Sequence, residues 1–344
     1  MKSFIISDLH LTDDPKEDYR WAVFPWALEQ IKQRQCTDLF ILGDFLHKKD
    51  RHPATLVNRL VTELITISQH VPIKLLKGNH DYLDPNSPFL QFVQHIPNIQ
   101  WINDPTFISL TPTFETLWLP HSRNPMKDWE SILTKKSVQL IFMHQSVIGA
   151  RTSSDFEINN ALDLAWLEAK VRCPIISGDI HVPQQIRSLT YVGTQHPVAY
   201  GDDYEYRALL LEVGKPLKLI SIPHAGMKRH SLTITTVEEL KNLLTTNQLH
   251  AKDQVKLKIQ LSEDNLSQWQ EIKNEVRIWC DQNEIHIADC KLEKTDSQMT
   301  TKPDMNSAFK SLNPKAALER FLENGLDSKF ADLGRQILSE VENA

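Results

Sequence analysis

The sequence predicts an α/β fold, on three observations. Over the first two-thirds of the 344 residues, short apolar runs alternate with longer amphipathic stretches, the order of a sheet covered by helices. Several of the apolar runs end in a polar, glycine-containing turn, which is where such sheets carry their sites. Near Pro223 to His230 the pattern changes, and a smaller strand–helix–strand unit follows.

In order along the chain, strands are predicted at Ser3 to Ser7, Leu39 to Leu42, Ile73 to Lys77, Leu117 to Leu119, Gln139 to Met143, Pro174 to Ser177 and Ala208 to Val213. Helical spacing marks Tyr19 to Arg34, Ala54 to Gln69 and Asn160 to Lys170. Pro53 opens the second of these, where a fixed φ and a missing N–H suit a first turn. Val255 to Leu261 alternates apolar and polar at period two, a half-buried strand. Ser262 can cap the helix behind it, in which Leu266, Trp269, Ile272, Val276 and Trp279 recur at helical steps and read as core. Ile285 to Leu292 reads as a closing strand. Residues 294–312 hold few large apolar side chains and much Thr, Ser, Lys and Asp, the make-up of an exposed linker.

Asn313-Pro314 then starts a helix striped by Ala317, Leu318, Phe321 and Leu322 and ended by Gly325. Phe330, Leu333, Ile337, Leu338 and Val341 stripe a second. Two such amphipathic helices dock either on their own chain or on a partner. The division expected is 1–225, 226–293, 294–312 and 313–344.

Lys and Arg number 38 against 44 Asp and Glu, a formal net charge of −6. This argues against a simple polybasic binder, whose affinity comes from neutralising phosphates. It leaves room for a protein in which metal ions supply positive charge locally. Hydrophobic residues at 41% support a packed core and exclude disorder of the whole chain. Cys36, Cys173, Cys280 and Cys290 form no CxxC pair, so core thiols in a reducing compartment are expected, not a zinc ribbon or a disulfide framework. Phe4-Ile5-Ile6 is too short for a signal peptide, and no apolar run reaches the roughly 18 residues of a membrane span. A cytoplasmic protein is expected.

The chemistry concentrates at strand ends. Three of the 10 glycines follow apolar runs and precede metal-capable residues, in Gly43-Asp44-Phe45-Leu46-His47, Gly78-Asn79-His80-Asp81 and Gly178-Asp179-Ile180-His181. Asp8-Leu9-His10 and His144-Gln145 complete the set. Each motif alone is unremarkable, since a Gly-Asp is a turn signal and Asp-x-His occurs by chance. Five in succession put hard oxygen and imidazole donors on one edge of a sheet. Burying such groups unpaired costs several kcal/mol, and divalent metals are the compensation that fits.

Taken together, Asp8-x-His10, Gly43-Asp44, Gly78-Asn79-His80-Asp81, His144 and Gly178-x-x-His181 resemble the motif series of the calcineurin-like metallophosphoesterases, over about residues 1 to 225. The resemblance implies a layered α-β-β-α sandwich with a small βαβ-like capping domain and C-terminal amphipathic helices. Within that superfamily the match leans to the SbcD-type nucleases of double-strand-break repair and recombination, in a compact form such as phages encode. His47 stands where phosphatases of the superfamily usually have Asp. Tyr191 to Gln195 and Gly201-Asp202-Asp203 resemble the segment those nucleases carry after the last metal motif.

Residue by residue, the resemblance implies one metal on Asp8, His10 and His181, a second on Asn79, His144 and Asp179, and Asp44 bridging. Two divalent ions, Mn²⁺ or else Mg²⁺, would activate a water for attack on phosphorus. Asp179 departs from the family's His, and as a harder ligand it favours Mn²⁺ or Mg²⁺ over softer ions. His80 would stabilise the transition state or protonate the leaving 3′-oxygen, and His47 would contact the scissile phosphate. The implied activity is exonucleolytic, 3′ to 5′ on duplex ends, and endonucleolytic on single strands and hairpins. The implied assembly is a homodimer with an SbcC-like coiled-coil ATPase on the C-terminal helices. Competing readings are a small-molecule phosphodiesterase or phosphoprotein phosphatase of the same superfamily, and a non-catalytic DNA- or protein-binding module.

Lys48 to His52 either steers a phosphate backbone or is solvated loop. Lys256 and Lys258 read as solvated, and Asp202, Asp203 and Glu205 as surface acids. His70, His95, His121, His196, His224, His230, His250 and His286 lack neighbours that would make them ligands.

Overall fold

The computed structural model describes residues 1–202, 204–246, 248–261 and 263–294. Asp203, the Ser262 cap, the linker beyond Lys294 and the helices expected over 313–344 lie outside those residues.

The chain first lays down β1 (Lys2–Ile6), β2 (Asp38–Leu42), β3 (Ile73–Leu76) and β4 (Ile99–Ile102) as parallel neighbours. A second sheet follows, from β5 (Thr106–Thr111), β6 (Phe114–Leu119), β7 (Leu140–His144), β8 (Ile175–Gly178), β9 (Gln184–Ile186) and β10 (Leu189–Tyr191). The chain then returns to the first sheet with β11 (Arg207–Glu212) and β12 (Lys218–Pro223). The strand orders are β12-β11-β1-β2-β3-β4 and β5-β6-β7-β8-β10-β9.

The central strands are apolar on both faces because both faces are covered. Ile5, Phe40, Leu42 and Ile176 meet Trp118 and Phe142 between the two sheets, with Trp118 and Phe142 rings 4.3 Å apart. The alternate residues Phe4, Ile6, Leu39 and Ile41 face outward onto α1 (Val23–Arg34) and α2 (Ala54–Ser68). On the other side, Ile141, Met143 and Ile175 pack under the turns α3 (Pro125–Asp128) and α4 (Glu130–Leu133) and the helix α5 (Leu164–Lys170). The layers are therefore α-β-β-α. Each fully buried Leu, Ile or Phe contributes about 1.5–3 kcal/mol, so the sandwich is a stiff support for loops at the strand ends.

Three expectations are corrected in detail. The Tyr19 to Arg34 stretch is two elements, a 3-10 segment over Pro15–Ala22 capped by Asp14 and then α1. The Asn160 to Lys170 helix starts only at Leu164, because Asp163 accepts from the Ala165 N–H and fixes the N-terminus there. Near the C-terminal end the strand–helix–strand unit is preceded by another strand and helix. β13 (Arg229–Ile234), α6 (Val237–Thr245), β14 (Gln254–Leu261), α7 (Trp269–Gln282) and β15 (His286–Lys294) make a sheet of order β13-β14-β15, with β13 parallel to β14. In α7, Val276 and Cys280 are buried, and Trp269 and Trp279 only half-buried.

Residues 1–260 and 268–293 form one compact unit. Within this unit, the buried Arg229 of β13 donates to Gln254 at 3.0 Å and Glu17 at 3.2 Å and lies over the Tyr200 ring. Cys36, Cys173, Cys280 and Cys290 are free thiols. No helix among the described residues is long and apolar enough to cross a membrane.

Candidate metal centre

The parallel strands β1, β2, β3, β7 and β8 end on one edge, and their C-terminal loops carry the polar residues. Those loops are tied side by side: Asp8 N–H donates to the Gly43 carbonyl at 3.0 Å, and His10 N–H to the Asp44 carbonyl at 2.9 Å. Asp8, His10, Asp44 and Asp179 all have positive φ, a conformation that costs a non-glycine residue about 1–2 kcal/mol. Such strain persists where surrounding structure enforces it, typically at functional sites. Gly43 and Gly78 allow the close approach: a Cβ on the first would strike the His144 ring, and on the second Asp44 itself.

All seven motif residues proposed as ligands lie in one cluster. Asp8, His10 and His181 form one group, with the Nε2 atoms of His10 and His181 3.1 Å apart. Asp8, Asp44 and His144 form another. His144 Nε2 lies 3.3 Å from Asp44 Oδ1, 3.1 Å from Asn79 Oδ1 and 3.6 Å from Asp179 Oδ1. His10 Nε2 is 3.6 Å from Asp44 Oδ2, so Asp44 faces both groups. His144 Nδ1 donates to the Leu42 carbonyl at 2.7 Å, which turns Nε2 toward the carboxylates.

His47 and His80 border the His10 side. His80 N–H donates to Asp44 Oδ1 at 2.7 Å, its Nδ1 donates to the His47 carbonyl at 2.8 Å, and its ring lies 4.7 Å from that of His10. His10, His47 and His80 are themselves close enough to share an ion.

The electrostatics ask for cations. Burial, reinforced by Asp44, pushes Asp8 up to about 8, although His144 opposes the shift. Asp179 is likewise raised by burial. For Asp44, burial would raise the carboxyl, but His144 and His10 outweigh it and hold the group well below its usual value. Burial would lower His144, yet Asp44, Asp179 and Asp8 raise it well above an ordinary histidine. His10 and His181 are lowered by burial and stay neutral.

Three carboxylates thus converge on one cationic imidazole, and Asp8 Oδ2 is buried with no hydrogen-bond partner. Turned nitrogen-inward, the Asn79 amide donates to both Asp44 oxygens at 2.9 Å; turned oxygen-inward, it is one more acceptor. A set of inward acceptors with too few donors fits divalent cations.

Four further residues hold this cluster in place. Asp81, pushed to about 6 by burial and Asp44, accepts from the Gly78 and Phe45 N–H groups at 2.8 Å and staples the loops after β2 and β3 together. Arg20, fully buried, donates to the His10 carbonyl and to Glu17. His196 Nε2 bonds the Leu9 carbonyl at 2.9 Å. His121 lies beside His144, ring centroids 6.3 Å apart. His121 and His196 were not marked by any motif, because their role depends on contacts distant in sequence.

Asp202 is corrected from surface acid to buried cap, accepting from Val198 and Ala199 N–H groups. Lys48 to Arg51 lie on an exposed loop in which His52 stacks on Phe89, and Lys256 sits over the Tyr200 ring.

Comparison with known proteins bears on the same segment. A calcineurin-like phosphoesterase family model matches residues 1–183. An uncharacterized protein of Acanthamoeba polyphaga mimivirus is 21% identical over 347 residues, covering 94% of this chain and 25% of its own length. The chain therefore spans about a quarter of that relative. Similar solved structures include a dimetal phosphatase from Danio rerio (13% identity, 65% of this chain and 99% of that one, TM-score 0.40). The phosphoesterase YfcE of E. coli gives 15%, 62%, 89% and 0.33, and the nuclease MPE of Pseudomonas putida 14%, 64%, 87% and 0.31.

Proposed function

Because the chain belongs to the calcineurin-like phosphoesterase family, we propose that it is a metal-dependent DNA nuclease of SbcD type, acting 3′ to 5′ on duplex ends and internally on single strands and hairpins. What carries the proposal is His47. Three residues after Asp44, it supplies a neutral imidazole, lowered to about 4 by burial and by Arg20, 5.6 Å from the His10 ring. A carboxylate there would repel the neighbouring charges of a polynucleotide backbone, whereas an imidazole N–H can donate to a phosphate oxygen.

Asp8, His10 and His181 would hold one ion, Asn79, His144 and Asp179 the other, and Asp44 both, with Mn²⁺ as the metal. When bound, the ions supply water activation and neutralise charge on the phosphoryl oxygens. The chain's own residues do the rest. His80 donates Nδ1–H to the His47 carbonyl, which leaves Nε2 to face substrate, and a proton carried on Nε2 would pass to the departing 3′-oxygen. His144 is kept in one tautomer by Leu42, and Asp81 fixes the separation of the Asp44 and Asn79 loops.

The wider assembly follows the same reading. Residues 226–293 serve as the capping domain, a homodimer forms, and the apolar stripes in the sequence of 313–344 dock an SbcC-like coiled-coil ATPase in DNA end processing inside the cell.

The test compares linear duplex DNA with a chromogenic phosphodiester and phosphomonoester, in Mn²⁺ and in EDTA. Metal-dependent DNA cleavage is expected. Hydrolysis confined to the small esters would reject the nuclease in favour of a small-molecule phosphoesterase, and no hydrolysis with no bound ion would favour a binding module.

A further inference from the structure

Beside the second group of ligands lies a cleft of about 530 Å³ whose lining includes His121, Arg123, Asn124, Lys127, Gln145 and Asn160. It starts at the metal centre, since Gln145 follows the ligand His144 and the His121 ring is 6.3 Å from the His144 ring. One wall is built around Tyr82, which is 3% exposed. Its hydroxyl bonds His121 Nδ1 at 2.8 Å, and the Arg123 guanidinium lies 5.6 Å over its ring. The His121 main-chain N–H is spent on the Lys77 carbonyl at 2.9 Å. The Tyr82 hydroxyl therefore fixes the imidazole through Nδ1, and Nε2 is the nitrogen left for a ligand.

Arg123 donates to the Leu83 carbonyl at 3.1 Å and lies over the Tyr82 ring, neither of them a carboxylate. The nearby acid Asp128 accepts a hydrogen bond from the Ser122 hydroxyl at 2.5 Å and holds the loop that carries Arg123. An imidazole, a guanidinium and an ammonium around amide side chains make a site for an anion flanked by hydrogen-bonding groups. The cations of this lining are Arg123 and Lys127, and His121, lowered to about 3 by burial and by His144, is a neutral donor beside them.

We propose that this cleft binds the nucleotide next to the scissile phosphate of a polynucleotide, with Arg123, Lys127 and His121 on that nucleotide's phosphate. The assignment rests on the nuclease reading and adds to it. A phosphomonoester, or a small diester, has no second phosphate to place there, so the cleft selects for chain substrates.

The test uses the full chain, an Arg123→Ala/Lys127→Ala double variant and an Arg123→Lys variant, with thermal melts to confirm that all are folded. Fluorescence anisotropy in EDTA measures binding of a labelled twelve-thymidine oligonucleotide, free of any effect on metal loading. The double variant should bind about 10-fold more weakly, and the slope of log K against log salt should fall by about 0.7 for each charge removed. Arg123→Lys should keep the slope. In Mn²⁺, KM for the oligonucleotide should rise at least fivefold more than KM for bis(p-nitrophenyl) phosphate, with kcat little altered.

If wild type cuts DNA and the double variant matches it in KM and in salt slope, the cleft assignment is overturned while the nuclease stands. If wild type hydrolyses only the small diester and binds no oligonucleotide, the nuclease reading fails, and the cleft assignment falls with it.

Discussion

The two ends of the candidate metal centre are built differently on the same scaffold. At one end, Asp8 is joined by two imidazoles, His10 and His181, which burial keeps neutral. At the other, Asn79 and one imidazole, His144, meet a second carboxylate in Asp179, and His144 is held cationic by Asp44, Asp179 and Asp8. Asp44 belongs to both ends. Counting Asp44, each end has two carboxylates; the first adds two imidazoles and the second one imidazole and the Asn79 amide, so the second is richer in oxygen. One site of a pair can thus be made harder by a single residue without disturbing the strand ends that hold it, and the two ions should differ in affinity and selectivity.

The largest expected effect tests whether His80 stands outside the ligand sets. It bonds Asp44 through its main chain, so its side chain can be removed without taking a ligand atom from either end. His80→Ala should lower kcat by about 10²–10⁴-fold, the usual worth of a positioned acid, with two ions per chain still found by metal analysis. Loss of an ion together with activity would put His80 with His10 and His47 as a ligand and redraw the first end.

A smaller effect sharpens the contrast itself. Asp179→His replaces a hard anion with a borderline nitrogen donor, 3.6 Å from His144 Nε2 as the carboxylate now stands. Calorimetric titration should show the weaker of two sites gaining about tenfold in Zn²⁺ affinity relative to Mg²⁺, with the other site unmoved. Equal changes at both sites would mean that the two ends are not independent.

The sequence made the candidate ligands of both ends more legible than the residues that support them. Asp8, His10, Asp44, Asn79, His144, Asp179 and His181 follow apolar runs, and a run that ends in Gly-Asp or Asp-x-His announces a strand end with donors on it. The buried strands β1, β2, β3, β7 and β8 were readable for the same reason. β9 and β10 have three residues each, too few for a period, and β12 is largely exposed, so its apolar signal is weak. Arg20, His121 and His196 act through carbonyls and rings that only the fold brings near, and no spacing along the chain encodes them. Asp202 misled because an acid that caps buried backbone reads like an acid in water until its partners are seen.

The smallest effect follows from protonation without metal. Above about pH 7.5 the lowered histidines His10, His47 and His181 are neutral in the folded chain and nearly so in the unfolded one, so they hardly alter stability there. Asp8, pushed up to about 8, keeps its proton in the metal-free fold across most of pH 6.5 to 8, while the unfolded chain has already lost it. A folded value above the unfolded one gives stability that is present at low pH and lost as pH rises through the folded value. His144, raised well above 6.5, has the same sign, and Asp44, held low, titrates only in acid.

In EDTA the melting temperature should therefore fall between pH 7.5 and 9, with the Asp8 proton accounting for about 1 kcal/mol of lost stability. Saturating Mn²⁺ should reverse the trend, because ligands must lose their protons to bind and affinity rises with pH. Asp8→Asn should flatten the EDTA slope, since the amide has no proton to lose. A metal-free melting temperature that rises from pH 7.5 to 9 would show that the acids of the centre are ionised without their cations. The contrast between its two ends would then have to come from geometry alone.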